Sequence, residues 1–339
     1  MNSNNLITNS YKNKPSSLGH SHIVPLDFTN MVTVPDSHEW VTESVPVIDL
    51  SDPNAKTLIG EACEKWGAFQ VMNHGVSMEL LNQAELEAFR FFSLPANQKL
   101  RVLRSPESII GYGVPRISSY FPKLLWSENF TMMGSPIDHA AQLWPDQPHK
   151  QTTFCDVMEE CQKEMKALTE RVVELMLESL GLTMEDLKWH SRGQCLFTLN
   201  SYPMCPEPER AMGLCPHTDT SLLTVLYQSS CTGLQVFQDV IGWIPVPPIP
   251  GAIVINIGDL MHILSNGRFK NILHRAVVNK TRHRVSFAVI YGPPSDEMIS
   301  PLTKFTNDEH PPLYRPVNWK DYIYSKALHG NKALLHLMN

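Results

Sequence analysis

His217-Thr218-Asp219 places an imidazole and a carboxylate two residues apart at the start of a run, SLLTVLYQ, that reads as a strand. Residues i and i+2 of a strand share a face. The spacing alone is weak, because 14 His and 34 acidic residues in a chain of 339 give about one such match by chance. A third ligand has to arrive from a distant strand. His274, opening HRAVV, fits best; His262 in GDLMHILSNG reads as a buried or capping histidine and His283 in NKTRHR as a turn residue. Two imidazoles and one carboxylate in a facial array leave three metal positions open, the arrangement of non-haem Fe(II) centres that activate oxygen. Ten residues beyond His274 stand Arg284 and Ser286, again an i, i+2 pair. A guanidinium and a hydroxyl on one face suit a carboxylate, so a 2-oxo acid chelating the metal would have Arg284 for its far end. Asn200 and Tyr202 form a comparable pair on an earlier strand.

These residues need a β-core. After about Gly193 the chain becomes a series of short runs (QCLFTLNSY, SLLTVLYQ, GLQVFQ, GWIPVPP, AIVINIGD, HRAVVN, RVSFAVIYGP) separated by turn residues, which predicts an antiparallel sandwich or barrel. Before it, strands are expected at Val45–Leu50 and in GAFQVMNHG. Helices are expected at Pro53–Trp66 (inner stripe Leu58, Ile59, Ala62, Cys63), Met78–Leu94 (Leu80, Leu81, Ala84, Leu86, Phe89) and Thr153–Leu180, the last stopped by Gly181. Helix returns near Trp319–Ala327 and Ala333–Met338. The fold class is therefore mainly β with flanking α. The layout is a poorly structured extension over 1–40, a helix-rich region over 41–190, the β-core over 191–300 and a helical tail over 301–339, forming one compact unit.

Composition narrows the alternatives. A formal charge of −6 without a Lys/Arg run argues against nucleic acid. The polar N-terminus does not read as a secretory signal, and no uninterrupted apolar run approaches membrane-spanning length. Seven cysteines without a CxxC pair suggest free thiols in a reducing compartment, so a cytoplasmic location is expected. The methionines of the long helix read as core filling, His74 as a turn stabiliser and Cys215 as a small buried hydrophobe.

The chain resembles the plant 2-oxoglutarate- and Fe(II)-dependent dioxygenases and, within them, the gibberellin 3-oxidases. The similarity is carried by KWGAFQVMNHG, IIGYGVPRISSYFPKLLW, YPMCPEPERAMGL, PHTDTSLLTVLYQ, GLQVFQD, INIGDLMHILSNG and LHRAVVNKTRHRVSFAVIYGP, and it runs from about His22 to Leu335. It implies a double-stranded β-helix (jelly roll). His217, Asp219 and His274 would hold Fe(II), and Tyr202, Arg284 and Ser286, with Asn200, would hold 2-oxoglutarate. The implied reaction is 3β-hydroxylation of a gibberellin-type diterpenoid acid by O2, with ascorbate as reductant in assays and the protein acting as a monomer. Such an acid needs an apolar cavity and a cation for its carboxylate; Arg116 is the candidate contact, with Tyr112 and Trp126 as walls. Two departures from the family pattern, the short Lys188–Cys195 connection and Cys215, are expected at the barrel mouth. Other readings are a gibberellin 2-oxidase or 20-oxidase, a flavonoid oxygenase, a zinc hydrolase built on the same His/Asp/His set, and a non-catalytic hormone binder.

Overall fold

The computed structural model describes residues 44–106, 108–114, 123–144 and 148–339. The expected extension over 1–40 and Arg116 lie outside the described residues. Among the described residues, twelve strands form the two principal sheets. They are β1 (Val47–Asp49), β2 (Ala68–Met72), β3 (Gly111–Gly113), β4 (Glu128–Met132), β5 (Gln194–Tyr202), β6 (Leu214–His217), β7 (Leu223–Gln228), β8 (Leu234–Gln238), β9 (Gly242–Pro245), β10 (Ile253–Ile257), β11 (His274–Ala276) and β12 (Arg284–Gly292). The larger sheet runs β1-β2-β10-β7-β12-β5-β4-β3 and the smaller β9-β8-β11-β6. Only β1 and β2 pair in parallel among these; the remaining pairings are antiparallel. This is the jelly-roll arrangement, and four strands of the N-terminal region extend its larger sheet.

The register assigns each residue a face. Asn129, Asn200, Ser286 and Gln228 lie in one cross-strand row, and Thr131, Thr198, Ala288 and Leu226 in another two residues along. This face looks at the smaller sheet: Leu226, Val254 and Ala288 pack with Leu234, Val236, Ile244 and Val246. The alternate row, Phe130, Leu199, Phe287 and Tyr227, faces the other way and is covered by helices α1 (Ala55–Lys65), α2 (Met78–Phe92) and α3 (Pro148–Ser179). Phe91 of α2 stacks on Phe130 at 4.6 Å between centroids, a contact of about 1 kcal/mol beyond its buried area.

The helices follow their sequence signals with local differences. The Ser77 side chain accepts from the Leu80 amide at the start of α2. Helix α3 ends before Gly181, whose φ of +73° lets the Leu182 amide turn back to the Leu177 carbonyl at 2.9 Å. Leu58 and Leu86 leave the expected inner stripes, with Leu86 half exposed, because at 100° per residue each lies to the solvent side of the arc that its neighbours bury. A short helix, α4 (Asp259–Leu264), follows β10, and α5 (Trp319–His329) precedes a final 3-10 turn over Gly330–Leu337. Among the described residues no helix is long and apolar enough to cross a membrane.

The turn from β10 into α4 leaves no room for a side chain at Gly258, where an added Cβ would stand 2.1 Å from the Ser221 carbonyl oxygen. That oxygen also accepts from the Leu260 amide at 3.0 Å, so it is held in place. Gly258→Ala is expected to lower stability by about 3 kcal/mol or more, read as a drop in the urea midpoint; an unchanged midpoint would contradict this close packing.

Candidate metal and 2-oxo acid site

β6 and β11 are neighbours in the smaller sheet, and His217 lies directly opposite His274 in their register. The pairing juxtaposes two imidazoles from positions 57 residues apart, with ring centroids 4.3 Å from each other. Asp219 completes the group. Its Oδ1 is 3.5 Å from His217 Nε2 and 3.7 Å from His274 Nε2, and these three are the group of possible metal ligands found among the described residues.

Hydrogen bonding decides which nitrogen faces the centre. His217 Nδ1 is 2.8 Å from the Cys215 carbonyl and His274 Nδ1 is 3.1 Å from the Ile272 carbonyl. A carbonyl only accepts, so each Nδ1 carries a proton, and in the neutral ring this leaves the Nε2 lone pair facing the centre. Burial and the adjacent His217 push His274 down to about 4, against the pull of Asp219, so it is a neutral ring at neutral pH. Burial would raise the Asp219 carboxyl, but His274 and His217 outweigh it and hold the group well below the usual carboxylate range. Asp219 Oδ2 is buried without a hydrogen-bond partner. With both rings neutral, two imidazole nitrogens and a carboxylate converge as acceptors, a cluster that suits a divalent cation.

A second charge lies further along the same interior. Arg284 is 2% exposed, opposite Tyr202 in the register of β12 and β5. Its Nη2 donates to Gln228 Oε1 at 3.2 Å, its guanidinium stands 4.9 Å from the Tyr202 ring, and its Nε is unpartnered. No carboxylate among the described residues pairs with it. A buried cation without a counter-ion is unfavourable by several kcal/mol, which makes this guanidinium a receptor for an anion. Ser286 is buried on the same face, and Asn200, half-buried, lies beside it in register. Gly233 lets Arg284 take this place: an added Cβ would stand 2.8 Å from Arg284 Cδ and 3.1 Å from the Val277 carbonyl. The residues present therefore fit both an iron ion and the 2-oxo acid that chelates it.

Other sequence expectations sort differently. His262 is held by the Phe269 carbonyl and the Tyr314 hydroxyl, His283 by Ser201 and an edge-on contact with Phe89, and His74 by Val76 and Gly251. None of these joins the metal group. Tyr112 does not join the metal and Arg284 group. Its register row is Phe130 and Leu199, on the helix side of the sheet, where its hydroxyl bonds Glu128 and its ring meets Phe91. Trp126 donates from Nε1 to the Met204 carbonyl and packs on Cys205, Ala211 and Val278. The Lys188–Cys195 connection also belongs to the helix side, with Trp189 beside Tyr291 and Gly193 against the Tyr291 ring, so the expectation that it sits at the mouth is corrected. Cys215 is buried with Leu125 and Met212, and burial pushes its thiol up to about 12.

The sequence reading missed the rest of the interior face. Thr131 and Thr198 are hydrogen-bonded to each other at 3.0 Å, while the Asn129 and Asn256 Oδ1 atoms are buried and unpartnered. The alternation of polar residues in QCLFTLNSY was the available signal, but which alternate set faces inward depends on the pairing partner.

Comparison with known proteins agrees with this geometry. Residues 193–293 match the 2OG-Fe(II) oxygenase superfamily, and residues 45–151 match the N-terminal region described as that of a non-haem dioxygenase in morphine synthesis. The chain belongs to the 2OG-Fe(II) oxygenase superfamily. Its relatives include gibberellin 3-beta-dioxygenase 1 of Arabidopsis thaliana, 46% identical with 98% of each chain covered, and gibberellin 3-beta-dioxygenase 1 of Pisum sativum, 46% identical over 97% of this chain and 92% of the relative. Among solved structures, JOX2 in complex with 2OG, Fe and JA superposes with a TM-score of 0.80 at 31% identity, covering 98% of this chain and 97% of that one. A rice dioxygenase for auxin oxidation gives 0.72 at 28%, covering 87% and 100%. The cofactors are Fe(II) and 2-oxoglutarate.

Removing one ligand separates the metal reading from a merely polar cluster. Asp219→Ala is expected to weaken Fe(II) binding by more than the roughly 10–100-fold typical of lost supporting contacts, whereas His262→Gln leaves metal affinity unchanged while lowering the melting temperature. Anaerobic metal titration of both proteins checks this; equal losses would contradict the assignment.

Proposed function

We infer that the protein is a 2-oxoglutarate- and Fe(II)-dependent dioxygenase that hydroxylates a gibberellin at C3, in gibberellin biosynthesis. The observation that carries the substrate class is identity of 46% across nearly the whole length of both the Arabidopsis and pea gibberellin 3-beta-dioxygenases. In this reading 2-oxoglutarate and O2 are consumed, succinate and CO2 released, and one C–H of the substrate becomes C–OH. The iron supplies the coupling of oxygen activation to oxidative decarboxylation.

The chain's own residues bind and orient. His217, Asp219 and His274 would hold the ion through two imidazoles and one carboxylate, a donor set that leaves room for a chelating co-substrate and oxygen. Arg284 and Ser286 take the far carboxylate of 2-oxoglutarate, the guanidinium as a charge-assisted donor worth about 1.5–3 kcal/mol. Tyr202, whose ring lies 4.9 Å from the Arg284 guanidinium, and Asn200, beside Ser286 in register, would contribute to the same co-substrate contact. Leu226, Val254 and Ala288 pack with strands of the smaller sheet between the two sheets. For the gibberellin acid, Arg116 is the proposed counter-charge and Trp126 a proposed aromatic contact. A cytoplasmic location is proposed because all seven cysteines are free thiols, six of them buried.

Two measurements follow. Anaerobic reconstitution with Fe(II), 2-oxoglutarate and a 3-deoxygibberellin, followed by oxygen, is expected to give one succinate per singly hydroxylated acid by mass spectrometry. Succinate in the absence of hydroxylated gibberellin would keep the reaction class and overturn the substrate. Gly233→Val should push Arg284 aside and raise the 2-oxoglutarate KM about tenfold or more, the scale of a 1–3 kcal/mol overpacking penalty, with metal affinity preserved; an unchanged KM would remove Arg284 from the co-substrate site.

A further inference from the structure

Asp259, the first residue of α4, is completely buried, and its carboxylate joins segments that are distant in sequence. On Oδ2 it accepts from Lys326 Nζ at 2.6 Å, Tyr322 Oη at 2.6 Å and Thr218 Oγ1 at 3.0 Å; on Oδ1 it accepts from Asn271 Nδ2 at 2.5 Å. Lys326 also donates directly to Thr218 Oγ1. The Asp259 amide donates to the Asp219 carbonyl at 2.8 Å.

The donors are distributed in a way that matters for the metal. Thr218 is the residue between the ligands His217 and Asp219, and Asn271 precedes the ligand His274 by three residues. Both limbs of the ligand set are therefore tied to one carboxylate. Lys326 and Tyr322 come from α5, near the end of the chain, and Asn331 just beyond it donates to the Pro216 carbonyl at 3.1 Å. The C-terminal segment thus grips the ligand-bearing strand end at two places. Lys326 is the only ion-pair partner that Asp259 has among the described residues, so without the ammonium a buried carboxylate would be left uncompensated.

We propose that Lys326 is a positioning residue for the iron ligands, acting through Asp259 and Thr218 from the C-terminal helix. The inference rests on His217, Asp219 and His274 being those ligands. A supporting residue of this kind sets ligand geometry and thereby metal affinity, without touching metal or co-substrate.

Anaerobic Ni(II) titration of the full chain tests it without requiring turnover or a gibberellin. Lys326→Met is expected to weaken Ni(II) binding about tenfold or more and to shrink the rise in melting temperature that Ni(II) produces, and Lys326→Arg is expected to recover most of the loss. Tyr322→Phe, which removes only a hydroxyl, should weaken Ni(II) binding severalfold and decides the matter if Lys326→Met does not fold. A folded Lys326→Met or Tyr322→Phe protein with Ni(II) affinity within about twofold of the parent would overturn the proposal, even if its melting temperature fell. Failure of the parent protein to bind Ni(II) at all would instead overturn the ligand assignment beneath it.

Discussion

The structure turns on a convergence of acceptors. His217 Nε2, His274 Nε2 and the Asp219 carboxylate meet inside the jelly roll, and the backbone carbonyls behind each imidazole have already taken the only proton either neutral ring has to offer. Such an arrangement is electrostatically incomplete, and a divalent cation completes it. The rest of the fold serves this geometry. The β6–β11 pairing sets the two histidines opposite each other, and the backbone contact from Asp259 to the Asp219 carbonyl holds the carboxylate beneath them.

A second electrostatic demand complements the first. The buried Arg284 has neutral partners, Gln228 and Tyr202, and no carboxylate pairs with it among the described residues. One interior thus presents an anionic cluster that suits a cation and a cation that suits an anion, which is what a metal-chelating dicarboxylate with a free far end satisfies. A zinc hydrolase would use the first feature and leave the second without purpose. A hormone-binding protein without turnover would have no use for the ligand trio. The helices stay outside this interior, covering the opposite sheet face with Phe91, Phe154 and their neighbours.

Much of this was legible in the chain. The His217/Asp219 pair with His274 forms one group, Arg284 and Ser286 share a strand face, and the short β-runs after Gly193 form sheets, because i, i+2 spacing is a local property that survives folding. Less legible was anything that depended on pairing partners. Tyr112 sits in a plausible aromatic stretch, yet the register of β3 with β4 turns it to the helix side, where Glu128 holds its hydroxyl. The Lys188–Cys195 connection precedes β5, but Trp189 and Gly193 pack on the helix-facing side. Asp259 lay in a quoted motif, while Lys326, 67 residues further on, carries no local mark at all. Buried ion pairs between distant segments become visible only when the chain is folded.

Anomalous diffraction from an anaerobic crystal containing Fe(II) and 2-oxoglutarate addresses the central claim most directly. The account predicts one iron peak about 2.0–2.3 Å from His217 Nε2, His274 Nε2 and an Asp219 carboxylate oxygen, with the far carboxylate of the co-substrate against Arg284. Iron bound elsewhere, or a co-substrate whose far carboxylate leaves the guanidinium untouched, would contradict it.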